Sequence, residues 1–267
     1  MQGPEADLAL LIDAAHGAGE IALSHFRQEP EAWFKDGNKS PVTEADIAID
    51  RALHADLRAA RPDYGWLSEE TEDDGARLST ERAFLVDPID GTRAFIDGSA
   101  SFAHSLAIAE NGEVIAGVVY LPVRKLLFAA AKGQGATLNG EKMQIGGPTE
   151  SARVELLASS RTMEARHWPG GLPDMRRSRR ASLAYQLAIV GQGRFDAMVS
   201  FWSLWEWDIA AGALIAAEAG ACVTDAAGLA LRFNRRTPRS NGLIVANPAL
   251  HADLLARHRG RPGRPAA

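Results

Sequence analysis

The chain has 267 residues and a single cysteine, Cys222. That excludes an intrachain disulfide and any zinc site built from several cysteines. Basic residues are not in excess: 29 lysines and arginines against 34 acidic residues leave a net charge of −5. A general nucleic-acid binder is usually basic overall, so no nucleic-acid polymer is expected as a partner. No apolar run reaches the roughly 18 residues that span a bilayer, so no membrane partner is expected. The start, Met1-Gln2-Gly3-Pro4-Glu5-Ala6-Asp7, lacks the basic stretch and apolar core of a secretory leader. With the lone cysteine, this points to a reducing cytoplasm.

What is present is an ordinary globular balance, 46% hydrophobic and 24% charged. The chain can bury one large core or two subdomains. Leu8, Leu11, Ile12, Ala15, Ala18, Ala22 and Phe26 recur at helical spacing. Residues 35–41 read as a loop, and a second helix is expected from near Thr43 through Ile49, Leu53 and Leu57, stopping before Pro62. Residues 66–70 read as a short strand entering an acidic loop. Residues 102–109, 113–120 and 126–131 read as an antiparallel meander, separated by Asn-Gly and proline-containing turns. Beyond Gly146-Gly147-Pro148, strands at 154–158, 197–201 and 243–246 alternate with helices at 182–190 and 209–219. The expectation is an α/β protein: an α+β half over 1–147 and an α/β half over 148–267. Residues 257–267 are expected to fray as a tail.

The most informative stretch is Asp87-Pro88-Ile89-Asp90-Gly91-Thr92, directly after the apolar run Ala83-Phe84-Leu85-Val86. A buried strand fixes where its last residues point, so both carboxylates can be held near one place. Gly91 leaves backbone N–H groups open to an anion. Carboxylates for a hard cation beside amides for phosphate suggest metal-assisted phosphate chemistry. Asp-Pro and Asp-Gly are also ordinary turn dipeptides, so a purely structural turn fits the same residues. Further acidic residues fall at the ends of expected elements: Asp46 opens the second helix, Glu69 and Glu70 follow a strand, and Asp208 precedes Ile209-Ala210-Ala211-Gly212. Asp46 and Asp208 fit equally well as helix caps, and Glu69-Glu70 as the edge of a solvated loop.

Four segments occur in order over residues 5–250: Pro41-Val42-Thr43-Glu44-Ala45-Asp46, Ser68-Glu69-Glu70-Thr71, the Asp87–Thr92 stretch, and Trp207-Asp208-Ile209-Ala210-Ala211-Gly212. Together they resemble the inositol monophosphatase-like family of magnesium-dependent, lithium-sensitive phosphatases. The resemblance implies a layered αβαβα fold, a small phosphate ester as substrate, no covalent phosphoenzyme, and a homodimer. It implies two or three Mg2+ ions held by Glu69, Asp87, the Ile89 carbonyl, Asp90 and Asp208, with Asp87 bridging. It implies that lithium inhibits. It assigns Glu69 to the attacking water, Thr92 paired with Asp46 to that water's proton, and Thr43 to the support of Asp46. Gly91 and Thr92 would meet the phosphate through backbone N–H groups, and Asp208 would lie beside the substrate.

The resemblance also bears on which ester. Inositol-specific members resemble Asp-Leu-Val-Thr before the first aspartate, where this chain has Ser40-Pro41-Val42-Thr43. They place an inositol-binding glutamate where this chain has Phe201, which accepts no hydroxyl hydrogen bond. Asp87 to Ile96, and Phe233-Asn234-Arg235-Arg236 with Ser240-Asn241-Gly242, resemble the bacterial 3′(2′),5′-bisphosphate nucleotidase branch. The first of these also resembles histidinol phosphatases. Adenosine 3′,5′-bisphosphate is therefore the favoured substrate, with inositol 1-phosphate and histidinol phosphate as alternatives. Phe201 would stack on the base. Arg161, with Arg166, the arginines among 176–180, Arg235 and Arg236, would supply charge for the second phosphate. Phe201, Trp202 and Trp205 are as readily core residues, and 176–180 as readily a solvated face. A sensor that binds metal and phosphate without turnover is the reading of a different class.

Overall fold

The computed structural model of the protein describes residues 3–28, 32–34, 41–146 and 153–260. Helix α1 (Pro4–His25) turns Leu11, Ala15, Ala18 and Ala22 inward on one face. Strands β1 (Ala32–Phe34) and β2 (Pro41–Thr43) pair antiparallel just before helix α2 (Glu44–Ala60). Pro41 therefore opens a strand, while 35–40 of the expected loop lie outside the described residues. Helix α2 begins with a capping box: Thr43 accepts from the Asp46 N–H, and the Asp46 carboxylate accepts from the Thr43 N–H at 2.8 Å. Thr43, not Asp46, is the cap.

The first sheet starts with β3 (Gly65–Ser68) parallel to β4 (Arg82–Asp90). The expected meander follows beside β4 as β5 (Ala103–Glu110), β6 (Glu113–Leu121) and β7 (Leu126–Ala131). Two strands not expected from the sequence, β8 (Ala136–Leu138) and β9 (Glu141–Met143), complete its seven. Three residues are too few to show an alternating pattern. A short helix, α3 (Thr92–Ile96), leads out of β4.

The second sheet runs β11 (Met175–Ser178), β10 (Val154–Leu157), β12 (Ala197–Trp205), β14 (Arg239–Ala246), β13 (Cys222–Thr224). Strand β10 is parallel to both of its neighbours, and β14 is antiparallel to both of its own. Helices α4 (Leu183–Gly191) and α5 (Glu206–Glu218) lie between the two sheets, and α6 (Pro248–His258) covers the outer face of the second. The order is α1/α2, sheet, α4/α5, sheet, α6, the five-layer αβαβα fold.

Each layer boundary has its own apolar core. Phe84, Val86, Leu106 and Ile108 meet α1 and α2, whereas Leu85, Ala103 and Ala107 meet α4 and α5. Strand β4 is buried along its whole length because both its faces are covered. Helix α5 lies very close to the first sheet: a Cβ on Gly117 would fall 2.9 Å from Ala211 Cα. Only glycine permits that approach, and it fixes the depth of the helix that carries Asp208.

Several bounds differ from expectation. Helix α5 starts at Glu206 rather than 209, and β12 continues past 201 to Trp205. Arg257 and His258 close α6 instead of fraying, and residues 261–267 lie outside the described residues. The boundary expected near 147 likewise falls in 147–152, outside them.

Candidate active site

Strands β4 and β5 pair residue by residue as far as Asp87 opposite Ser105, but the next pair is Asp90 opposite Ala103. Strand β4 thus carries one extra residue, a bulge. In an unbroken strand, residues three apart point to opposite faces. The extra residue reverses that parity and lets Asp87 and Asp90 line one cavity. Pro88 sits in the bulge, where its missing N–H costs no ladder bond. Buried His104 on β5 donates from Nδ1 to the Pro88 carbonyl at 2.5 Å, which pins the bulge. Burial pushes the His104 pKa down to about 4.

Glu69 arrives from the end of β3, its N–H donating to the Val86 carbonyl at 3.2 Å. Asp208 lies in the first turn of α5, and Ser105 Oγ secures that turn by donating to the Trp207 carbonyl at 2.8 Å. One carboxylate oxygen from each of Glu69, Asp87 and Asp208 lies within 4.8 Å of the others. Asp87 is buried, and its Oδ1 has no hydrogen-bond partner. Burial, then the charges of Glu69, Asp90, Asp208 and Asp46, hold Asp87 well above the ordinary carboxylate range. Burial, then Asp90 and Glu69, do the same to Asp208. A buried oxygen without a hydrogen-bond partner among mutually repelling carboxylates could hold a cation. An all-oxygen donor set suits magnesium.

Asp90 is tied down differently. Its Oδ2 accepts from Ser182 Oγ at 2.7 Å and from the Ala184 N–H at 2.6 Å, so it satisfies the first turn of α4. Burial still raises its pKa to about 6 against those hydrogen bonds. Asp90 and Ile89 line the cavity, but Asp90 stands outside the three-carboxylate group. Gly91 takes φ +99°, a left-handed conformation that a side chain would strain. Thr92 Oγ1 lies 3.3 Å from Asp46 Oδ1 and 3.1 Å from the Ile89 carbonyl. Thr43 donates to the other Asp46 oxygen through both its N–H and its hydroxyl. Burial raises Asp46 to about 6.

The cavity, about 640 Å3, is lined by Glu69, Asp87, Ile89, Asp90, Gly91, Thr92 and Asp208, all anticipated, and by Arg93, Asp97, Ser99, Arg179, Arg180 and Trp205. Phe201 and Arg161 are not in its lining. Phe201 continues the Ala197, Val199 face of β12, which packs toward α6. Its ring stacks on His258 at 4.0 Å and on His167 at 5.1 Å. Arg161 lies over Trp202, 5.9 Å from the ring centre, in a neighbouring cavity. Among the residues not anticipated, Arg77 matters most. It is buried, binds both oxygens of Asp73, and donates to Asn234 Oδ1 and the Arg235 carbonyl. It thereby joins the loop after Glu69 to the segment beside Glu206 at the head of α5, where the Arg235 N–H meets Glu206 Oε1 at 3.3 Å. Ser182 was readable as a helix cap; its bond to Asp90 was not.

The chain matches the inositol monophosphatase family over residues 4–262. It is 36% identical over 232 residues to a fructose-1,6-bisphosphatase/inositol-1-monophosphatase of Thermotoga maritima, covering 85% of this chain and 88% of that one. It is 37% identical over 236 residues to an inositol-1-monophosphatase of Rhizobium meliloti, covering 83% and 86%. The solved extragenic suppressor protein SuhB of Bartonella henselae superposes with a TM-score of 0.81 at 27% identity, covering 95% and 98%. These relatives are inositol monophosphatases and SuhB rather than bisphosphate nucleotidases, which corrects the expected branch. The Asp87–Thr92 stretch builds the bulge and the acidic cavity and does not encode the part of the ligand that differs between branches. A family match running almost end to end makes this chain a member of the inositol monophosphatase family and a phosphoric monoester hydrolase.

Proposed function

We propose that the chain hydrolyses a phosphate monoester of a small polyol or sugar, with inositol 1-phosphate as the representative substrate, in a magnesium-dependent reaction. The observation that carries this reading is the approach of Glu69, Asp87 and Asp208 within 4.8 Å, with a buried Asp87 oxygen that has no hydrogen-bond partner. Asp90 and the Ile89 carbonyl stand beside them to complete an oxygen donor set. Magnesium bound there supplies positive charge for the phosphate oxygens and lowers the pKa of a bound water. Lithium competing for the same oxygens would inhibit.

The chain's own groups do the rest. Glu69 orients the attacking water. The Thr92 hydroxyl passes its own proton to the Asp46 carboxylate as it takes that of the water, and Thr43 holds Asp46 in place from the other side. The first bonds of α3 run from the Ala94 and Phe95 N–H groups to the Gly91 carbonyl, and the left-handed Gly91 would turn the backbone just before them toward the phosphate. Trp205 also lines the cavity, its ring held between Trp207 at 4.5 Å and the Arg239 guanidinium at 3.9 Å. A nucleotide carrier loses the support expected for it, because Phe201 packs toward α6 and offers no platform to a base in this cavity.

The test is phosphate release with Mg2+ from inositol 1-phosphate, fructose 1,6-bisphosphate, histidinol phosphate and adenosine 3′,5′-bisphosphate at matched concentrations. The polyol and sugar esters should exceed the nucleotide in kcat/KM by about tenfold or more, ~1.4 kcal/mol. A nucleotide preference of that size would overturn the substrate reading. No release from any ester, with Mg2+ bound, would support a sensor instead.

A further inference from the structure

Helix α2 carries a second buried carboxylate that the chemistry above does not use. Asp50 is 6% exposed and lies one turn beyond Asp46. Residues four apart on a helix share a face and stand about 6 Å apart along its axis. Both oxygens of Asp50 accept from hydroxyls: Ser68 Oγ donates to Oδ1 at 2.5 Å, and Thr71 Oγ1 donates to Oδ2 at 2.6 Å. Those two residues stand immediately before and after Glu69-Glu70. A carboxylate is costly to bury, and an apolar side chain would fill the same place without that cost. What the carboxylate adds is a pair of directed acceptors.

The segment that Asp50 grips is the point where the chain leaves the sheet. Strand β3 ends at Ser68 and is an edge strand, paired with β4. Past that end, the Glu69 N–H bonds to the Val86 carbonyl, and the Glu70 N–H donates to Ser68 Oγ at 3.3 Å. Trp66 Nε1 donates to Thr71 Oγ1 at 3.3 Å, which steadies the same hydroxyl from another side. The far end of the loop is tied separately, by Arg77 on Asp73. Between these ties, Glu69 keeps a carboxylate oxygen within 4.8 Å of Asp87 and Asp208, whose charges repel it. Repulsion would drive a loosely held corner outward before any cation arrives. Two hydroxyl anchors on a packed helix oppose that motion.

We propose that Asp50 is a positioning residue: through Ser68 and Thr71 it sets the Glu69 carboxylate against the metal and the attacking water. Asp46, on the same face of α2, takes up a proton by way of Thr92. One helix face thereby fixes both groups that act on the water, the one that orients it and the one that drains its proton. Asp50 is not part of the cavity lining and acts only through the corner it holds. The proposal rests on the monoesterase reading above. Misplacing Glu69 weakens one metal ligand and misaligns the attack, while the other substrate contacts persist. Loss of Asp50 therefore lowers kcat and Mg2+ affinity more than it raises KM.

The experiment compares the full chain as parent with Asp50→Ala, Thr71→Val and Thr71→Ser. Thr71→Val removes one hydroxyl at an exposed position with little change of shape, so it retains the fold even where Asp50→Ala destabilises it. With inositol 1-phosphate and saturating Mg2+, Asp50→Ala should lose about a hundredfold in kcat and Thr71→Val about tenfold, with KM changed less than about threefold. Calorimetric titration with Mg2+ in the absence of ester should show a raised Kd in the same two variants. Thr71→Ser, which keeps the hydroxyl, should match the parent in both readings. Parental kcat and Mg2+ Kd in Asp50→Ala and Thr71→Val, with only Tm lowered, would make the contact purely structural and overturn the proposal. So would a Thr71→Ser as impaired as Thr71→Val. If the parent cleaves no ester but Mg2+ binding weakens in both variants, Asp50 still positions Glu69 at the metal and only the monoesterase reading fails. Unchanged Mg2+ binding in that case overturns both.

Discussion

The two adjoining cavities are built on opposite plans. The catalytic one sets carboxylates on a strand bulge and helix ends, deep enough that Asp87 and Asp90 are almost fully buried. Its neighbour sets arginines on an edge strand and loops, with Arg93, Arg161, Arg177 and Arg179 all exposed. Burial raises the cost of every unpaired charge, so the acidic cavity needs a cation and must be held rigidly. Exposure lets water and salt screen the arginines, so the basic cavity tolerates change. The acidic cavity is the constrained one and the basic cavity the permissive one.

The sharpest way to break this comparison is Asp87→Asn. Removing the central buried charge should cut kcat/KM at least about a thousandfold, ~4 kcal/mol, measured by phosphate release with Mg2+. The metal-free variant should unfold at no lower temperature than the parent, because a source of repulsion has gone. Next in size is the metal itself. At about a hundred times its Kd, Mg2+ should stabilise the native state by ~2.7 kcal/mol, seen as a rise in Tm that a chelator reverses. The Asp87→Asn variant should show little of that rise.

A smaller effect tests the support behind the acidic cavity. The pKa of His104 lies at about 4 in the fold, below its ordinary value near 6.5. Protonating Nε2, which has no partner, would bury both a charge and an unsatisfied donor. The unfolded chain therefore binds the proton first. The His104 contribution is complete above pH ~6.5 and falls as pH drops toward 4, by at most about 1.4 kcal/mol per unit. Urea unfolding across that range should show a shallower slope for His104→Gln than for the parent. The smallest effect belongs to the exposed cavity: Arg161→Ala should change stability by less than about 0.5 kcal/mol in the same assay.

The same contrast explains what could be read from the sequence. The start of α2 near Thr43 and Asp46 was legible because its signals are local, though which of the two caps it was not, and the Asp87–Thr92 stretch was legible because its residues are contiguous. The bulge was not legible, since an extra residue in β4 is defined only against β5. The bond from Ser182 to Asp90 spans 92 positions and has no local signal. Phe201 looked like a ligand platform because it lies close in sequence to Asp208. The alternation of β12 instead aligns it with Ala197 and Val199 and sends it toward α6. Arg161 was expected to meet substrate, yet it lies outside the catalytic cavity, and only the fold shows that it shares a second one with Arg177 and Arg179.

The most direct test of the account is anomalous scattering from a crystal of the full chain soaked in Mn2+, a stand-in for magnesium with the same preference for oxygen donors. The account predicts a peak bounded by the carboxylates of Glu69, Asp87 and Asp208, absent in Asp87→Asn. A metal bound elsewhere, with those three carboxylates left without an ion, would contradict it.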